Sequence, residues 1–173
     1  LGQALGRDVT LADLQNTHNA VLVATGLGTE ATLGTAEGVV SGIEFLRETK
    51  TGARTTVPAT VAVLAGDDCA MDAAVTAHAL GAENVYIVFS GPRSAMHWHK
   101  AEAWFKSEGV HCLPLTEPLG YATDAAGRLT GLRIARTTPA PTGEADHPAW
   151  KTVSGSESIL SVDLVIEALS LDV

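Results

Sequence analysis

The sequence predicts an α/β fold: a parallel sheet with crossover helices, plus a small antiparallel β-meander. Three observations predict it. Thr60–Ala65 and Asn84–Phe89 are short, apolar, β-branched runs closed by Gly-containing turns, the pattern of strands buried on both faces. Between them Cys69–Leu80 is Ala-rich and helical, and Gly81 supplies its stop. Further on, Asp124–Gly127 separates two strand-like runs and reads as a hairpin turn. Strand, helix, strand, helix, strand within about sixty residues calls for crossover connections, which are right-handed.

Taken in order, Val9, Leu11 and Leu14 support at most a short helix across residues 9–19. Ala20–Ala24, stopped by Thr25-Gly26-Leu27-Gly28, reads as a buried strand running into a loop. Val39, Val40, Ile43 and Leu46 recur at helical spacing, so a helix is expected over Gly38–Thr49. Lys50–Thr56 is polar, contains Gly52 and reads as a loop. Gly66-Asp67-Asp68 and Ser90-Gly91-Pro92 are turns that follow the two buried strands. A second helix is expected over Ser94–Ser107, and Val110–Leu113 starts a third strand. Leu119–Tyr121 and Leu129–Ile134 flank the hairpin turn, Thr137–Pro148 reads as a loop with three prolines, and Ser158–Ser161 with Asp163–Ala168 form a final strand pair.

Composition narrows the function. The 173 residues carry 11 Lys and Arg against 20 Asp and Glu, a net charge of −9, and 46% are hydrophobic. So high an apolar fraction excludes disorder as the main state. An acidic chain without a basic stripe is not expected to bind nucleic acid. Apolar runs such as Val61–Ala65 fall far short of the ~18 residues a membrane span needs, so no membrane partner is expected. Cys69 and Cys112 are too few for a disulfide framework and read as small buried hydrophobes in a reducing, cytoplasmic compartment. The chain begins at Leu1 with no signal-peptide pattern, as a processed chain or an excised segment would.

The stretch with chemical meaning is the turn between the first buried strand and its helix. A helix N-terminus there offers free N–H groups and partial positive charge to a phosphate, which makes the unit Rossmann-like. Dinucleotide sites place G-x-G-x-x-G/A at this turn. The aligned residues are Ala65-Gly66-Asp67-Asp68-Cys69-Ala70. Ala70 keeps the third position, Ala65 replaces the first Gly and Asp67 the second. A carboxylate ~4 Å from a pyrophosphate, at an effective dielectric of ~20, opposes binding by roughly 4 kcal/mol unless it swings away. Asp67 and Asp68 also have a structural reading, as carboxylates that cap a helix and complement its dipole. The next strand ends in Ser90-Gly91-Pro92-Arg93, with no acid for the ribose of NAD. Arg93 is the nearby cation and Ser90 a phosphate donor, a lean toward NADP over NAD.

The residues around this motif resemble a family. Val61–Ala74 (VAVLAGDDCAMDAA) is similar to the pattern VVVIGGGDVAMDAA of the small (beta) subunit of NADPH-dependent glutamate synthase and its relatives, including the N-terminal half of dihydropyrimidine dehydrogenase. The resemblance runs along nearly the whole chain. It takes in Asp8–Leu11 with Ala20–Gly26, Gly38–Leu46 (GVVSGIEFL), Leu80–Val85, part of Arg93–Met96, Gly127–Leu132, Ser154–Glu157 and Asp163–Ala168. It implies the FAD/NAD(P)-binding fold of the glutathione-reductase type, in which a pyridine-nucleotide domain is inserted into an FAD domain and passes hydride to the flavin. Residues 57–157 are then the inserted NAD(P) domain, 1–56 a flank at the FAD-domain junction, and 158–173 the returning strand. The family's N-terminal FAD fingerprint and iron–sulfur cysteines do not occur here, as in a segment of a longer flavoprotein.

The resemblance implies cofactor contacts from Gly66, Asp67, Asp68, Cys69, Ser90, Gly91 and Arg93, with Gly26 and Gly28 closing over the nucleotide. It also implies NAD(P)H as ligand, FAD and its domain in the full-length protein, and a larger oxidoreductase subunit as a possible partner. Departures fall on cofactor-facing positions: Ala65 and Asp67 for glycines, Ser90-Gly91 for the Arg pair that would hold a 2′-phosphate, and Leu169-Ser170 for the closing Ile-Gly. The other reading is therefore a degenerate module that has lost the nucleotide and persists for structure or protein contact. His97 and His99 lie ~200° apart on a helix and would not share a metal there, whereas on an extended segment they could; a helix start is expected here, so no metal site is assigned, and a His97/His99 site stays as the alternative that elemental analysis decides. Trp98 and Trp104 read as packing. Alternation along the strand sends His111 and Cys112 to opposite faces, which argues against a Cys–His nucleophile pair. No catalytic residue is assigned.

Overall fold

The computed structural model describes residues 2–24, 29–65, 67–96, 108–140, 149–169 and 171–172. Contacts divide the chain into one unit of residues 1–29 with residue 173 and a second of residues 30–172.

In the first unit, α1 (Leu11–Thr17) is the expected short helix. A capping box starts it: Thr10 Oγ1 accepts the Asp13 N–H at 3.1 Å, and Asp13 Oδ2 accepts the Thr10 N–H at 3.0 Å. Ala20–Ala24 is not the buried strand its composition predicts. Leu22 is 89% exposed and Val23 64%. A strand needs a neighbour for its backbone groups, and the structure gives this run none of the ladders it describes.

The second unit holds β1 (Thr29–Glu30), β2 (Val39–Ser41), α2 (Gly42–Thr51), β3 (Thr60–Leu64), α3 (Asp68–Ala79) and β4 (Asn84–Val88). It continues with β5 (Val110–Leu113), β6 (Thr116–Thr123), β7 (Leu129–Pro139), β8 (Trp150–Thr152), β9 (Ser158–Leu160), β10 (Leu164–Glu167) and β11 (Leu171–Asp172). β1 reaches back one residue into the first unit. Five strands form a parallel sheet in the order β2-β10-β3-β4-β5, with Leu64 opposite Val88 and Glu167 opposite Leu64. β6, β8 and β9 each pair antiparallel with the long β7, so the second sheet is antiparallel as expected but is centred on one strand, without the successive pairing of a meander.

Strand alternation splits the core in two. Val61, Val63, Val85, Ile87, Leu164 and Ile166 meet Phe45 of α2 and the buried Ala70, Met71, Ala73, Ala74 and Ala77 of α3. Small side chains on α3 bring that helix close to the sheet. On the other face Ala62, Leu64, Val88 and Val165 pack against Leu132, Val162 and Tyr121. Asp124 Oδ1 ties the hairpin turn by accepting the Ala126 and Arg128 N–H groups at 2.9 and 3.0 Å.

Several sequence readings are corrected. Val39 and Val40 belong to strand β2, because β10 offers them a parallel partner (Val165 opposite Val39). The helix starts only at Gly42, after the N-cap Ser41, and runs to Thr51 before Gly52 ends it in the left-handed conformation. Thr137–Pro139 are strand, paired with β8. β9 and β10 do not pair with each other: β9 joins β7 in the antiparallel sheet, and β10 inserts between β2 and β3. Of the helix expected over Ser94–Ser107, the described part is a 3₁₀ turn at Arg93–Ala95 followed by extended Met96. The remainder, with His97, Trp98, His99 and Trp104, lies outside the described residues. Among the described residues no helix is long and apolar enough to cross a membrane, and no group of three or more His, Cys, Asp or Glu is placed to hold a metal.

Candidate functional site

Parallel strands converge their carboxyl ends on one edge of the sheet, and the turns that follow β3 and β4 meet there. The Ala65 N–H donates to Val88 O at 3.1 Å, which places the start of the turn after β3 beside the end of β4. Ala65 sits at φ +97°, a backbone conformation that glycine adopts freely and alanine does not. The first-glycine geometry of the motif is thus kept by a residue with a Cβ.

Asp67 is the N-cap of α3. Its Oδ1 accepts the Ala70 N–H at 2.9 Å, and its carbonyl accepts the Met71 N–H at 3.1 Å. This is the structural role the sequence assigned to it, and it has a chemical consequence. A free N–H in the first turn of α3 is what a diphosphate would seek, and a carboxylate already holds one of them. Asp68 follows as the first helical residue. Cys69 lies half-buried beneath the start of α2, where a Cβ on Gly42 would come within 3.2 Å of its sulfur and 3.1 Å of Ala168 Cβ. The two helix N-termini and the end of β10 therefore meet at one packed point.

After β4, Ser90 turns its carbonyl to the Thr137 hydroxyl at 2.6 Å. Gly91 is glycine for packing: a Cβ there would meet the Phe89 ring at 2.9 Å. Arg93 is exposed on the 3₁₀ turn. Its charge acts on Cys112, lowering the thiol pKa, but burial outweighs it and the thiol stands above its ordinary value. Cys112 contacts Met96 Sδ at 3.5 Å on one face of β5, while His111 on the other stacks on Tyr86 at 4.7 Å and bonds Asn84. The two side chains face opposite ways.

Ala65 and Ser90 share a pocket of about 170 Å³ with Leu33, Val88, Phe89, Glu117, Pro118 and Leu169. Asp67, Asp68 and Cys69 follow β3 in the chain and Ser90, Gly91 and Arg93 follow β4; of these six, Ser90 lines the pocket, and Cys69 packs instead toward Gly42 and Ala168. Gly26, Gly28 and Gly66 lie outside the described residues. Sequence reasoning missed Glu167, a buried carboxylate at the end of β10 that accepts hydrogen bonds from Thr32, Leu33 and Tyr121. Its signal was an acid closing the apolar run Leu164-Val165-Ile166.

Of the groups a dinucleotide would need, this stretch carries the Ser90 hydroxyl and the exposed Arg93 guanidinium. Asp67 does not suit the diphosphate while it caps the helix.

No protein-family model matches the chain. It is 29% identical over 98% of its length to the beta subunit of the NADP(+)-dependent formate dehydrogenase of Moorella thermoacetica. It is 29% and 28% identical, over 97% of its length, to the small chains of the NADPH glutamate synthases of Azospirillum brasilense and Escherichia coli. The chain spans 25%, 38% and 39% of these relatives, well under half of each. Among solved structures, FprA of Mycobacterium tuberculosis in complex with NADPH superposes with a TM-score of 0.73 at 13% identity, over 97% of this chain and 53% of that one. Thioredoxin reductase of Giardia duodenalis gives 0.57 at 14% identity, over 82% and 41%. These superpositions show the fold. The homologues of the chain are the glutamate synthase small subunit and related NADPH oxidoreductases.

Proposed function

We propose that this chain is the pyridine-nucleotide domain of an NADPH-dependent flavoprotein oxidoreductase, with the nucleotide lying across the carboxyl ends of β3 and β4. One observation carries the reading: β3, its turn, α3 and β4 bring a helix N-terminus, Ser90 and Arg93 to the same sheet edge. The nicotinamide, when bound, supplies hydride to a flavin held by the rest of the protein. The residues here bind and orient. Ser90 donates to the ribose phosphate, Arg93 neutralises it, and the first turn of α3 faces the diphosphate. Asp67 must leave its cap to admit that group. Losing the cap costs about 1 kcal/mol, less than the ~4 kcal/mol of repulsion it avoids, so release is the cheaper course. Residues 57–157 are the inserted domain in this reading, with FAD and any larger oxidoreductase subunit bound outside it.

A second reading is favoured by the same turn. Ala65 at φ +97° and Asp67 on its own helix suit a module that keeps the fold without the nucleotide. Titration with NADPH and NADH separates the two. Binding of NADPH tighter than millimolar supports the first reading, and no binding of either refutes it. In the second, the Ala65→Gly, Asp67→Gly double variant gains binding that the native chain lacks.

A further inference from the structure

β10 ends on a side chain that its neighbours do not foreshadow. Leu164, Val165 and Ile166 are buried and apolar, and Glu167 is equally buried, at 4% exposed. A carboxylate is tolerated in such a place only when hydrogen bonds replace its water. Here Oε1 accepts the Leu33 N–H at 2.7 Å and the Tyr121 hydroxyl, and Oε2 accepts the Thr32 hydroxyl at 2.7 Å. The donors come from two segments with no ladder to β10, whose strand partners are β2 and β3. Thr32 Oγ1 in turn accepts the Gly34 N–H at 3.1 Å, and Gly34 lies beside the edge atom Cε2 of the Tyr121 ring, which a Cβ on Gly34 would approach to 3.9 Å. Leu33, fixed between them, lines the pocket shared by Ala65 and Ser90.

We propose that Glu167 is a positioning residue: its carboxylate clamps the Thr32–Gly34 turn and Tyr121 to the end of β10, and so sets Leu33 as a wall of the pocket beside Ala65 and Ser90. The effect on nucleotide affinity rests on the reading above; the clamp does not. An apolar side chain of similar size would fill the volume, but it would take the acceptor from the Leu33 N–H and the Tyr121 hydroxyl and leave the Thr32 hydroxyl to Gly34 O, 2.9 Å away in its own turn. A glutamine keeps an acceptor oxygen in the same place. The phenol of Tyr121 is raised above its ordinary value by burial and by the adjacent carboxylate, in keeping with a hydroxyl that stays a donor.

The test compares the native chain with Glu167→Leu and Glu167→Gln by residue-resolved amide exchange, by the nuclear Overhauser contact between Gly34 α-protons and the Tyr121 ring, and by NADPH titration. In Glu167→Leu the Leu33 amide should exchange at least about tenfold faster while the amides of α3 keep their rates, because a charge-assisted hydrogen bond is lost locally. The Gly34–Tyr121 contact should vanish. In Glu167→Gln both should stay near native, with Leu33 exchange within about threefold. Unchanged Leu33 exchange in Glu167→Leu overturns the clamp. Should that variant not fold, Thr32→Val replaces it, with Leu33 exchange about threefold faster as the supporting result and native exchange as the refuting one. NADPH affinity should fall about fivefold in Glu167→Leu and hold in Glu167→Gln. Loosened Leu33 with native affinity overturns the positioning role. Absence of NADPH binding in the native chain refutes the proposed function instead, and the exchange and contact measurements then decide the clamp alone.

Discussion

Replacing Ala65 by glycine should stabilise the protein. Ala65 holds φ +97° at the close of β3, half-buried against the helical face of the core. An L-residue with a Cβ in that region stores about 1–3 kcal/mol. Glycine removes the strain but brings back unfolded-state entropy worth about 0.4–1 kcal/mol. It also forfeits a methyl group whose full burial would be worth about 0.8 kcal/mol and which is half-buried here, so about 0.4 is lost. The midpoints leave a net gain of about 1 kcal/mol, or a rise in Tm of roughly 2–4 °C for a chain of this length. Urea unfolding of Ala65→Gly and of Ala65→Val, followed by circular dichroism, measures it. The valine variant should lose stability, because β-branching worsens the same clash. A glycine variant less stable than the native chain by more than about 0.5 kcal/mol would show that the methyl contacts outweigh the strain, and the argument would fail.

Three further outcomes are expected. Asp67→Ala should cost about 1 kcal/mol in denaturant unfolding through loss of the cap, while Asp67→Gly should cost only a few tenths and tighten NADPH at least about fivefold by calorimetry, since the carboxylate no longer has to be moved. Gly109→Ala should lower Tm by roughly 5–10 °C, because its φ is +84° and a Cβ would fall 2.1 Å from Glu83 O, a backbone atom that cannot step aside. Tyr121→Phe should cost about 1–2 kcal/mol in urea unfolding at pH 8, and its deficit should shrink above pH ~10. The sign follows from the raised phenol of Tyr121: the folded state keeps its proton where the unfolded state loses it, so the native chain, but not the variant, is destabilised as pH rises past the unfolded value.

What the sequence made legible was local. β3, α3 and β4 were readable because an apolar run, an Ala-rich helix and Gly81 all signal through near neighbours, and the capping role of Asp67 needed only the helix that follows it. Val39 and Val40 were misread because two valines ahead of Ile43 and Leu46 satisfy a helical spacing, and their real determinant is β10, far along the chain. β9 and β10 looked like a pair since they are adjacent in sequence, yet each had a better partner elsewhere. Ala20–Ala24 has the composition of a buried strand but stands exposed, since burial is a property of surroundings that a five-residue run does not carry. Glu167 was hidden for the same reason. Its donors lie 134, 135 and 46 residues away.

The insertion of β10 between β2 and β3 also governs when the sheet can form. Val165 pairs with Val39 across 165 − 39 = 126 residues, and Leu164 pairs with Val61. Until β10 arrives, β2 has no neighbour and β3 shows an open, apolar edge. On a ribosome that interval lasts until nearly all of this sequence has emerged, and such a long-range closure makes for slow folding. β3, α3, β4 and β5 can assemble early on local contacts, so the growing chain carries a half-built sheet whose bare edge is the surface most in need of protection from other strands.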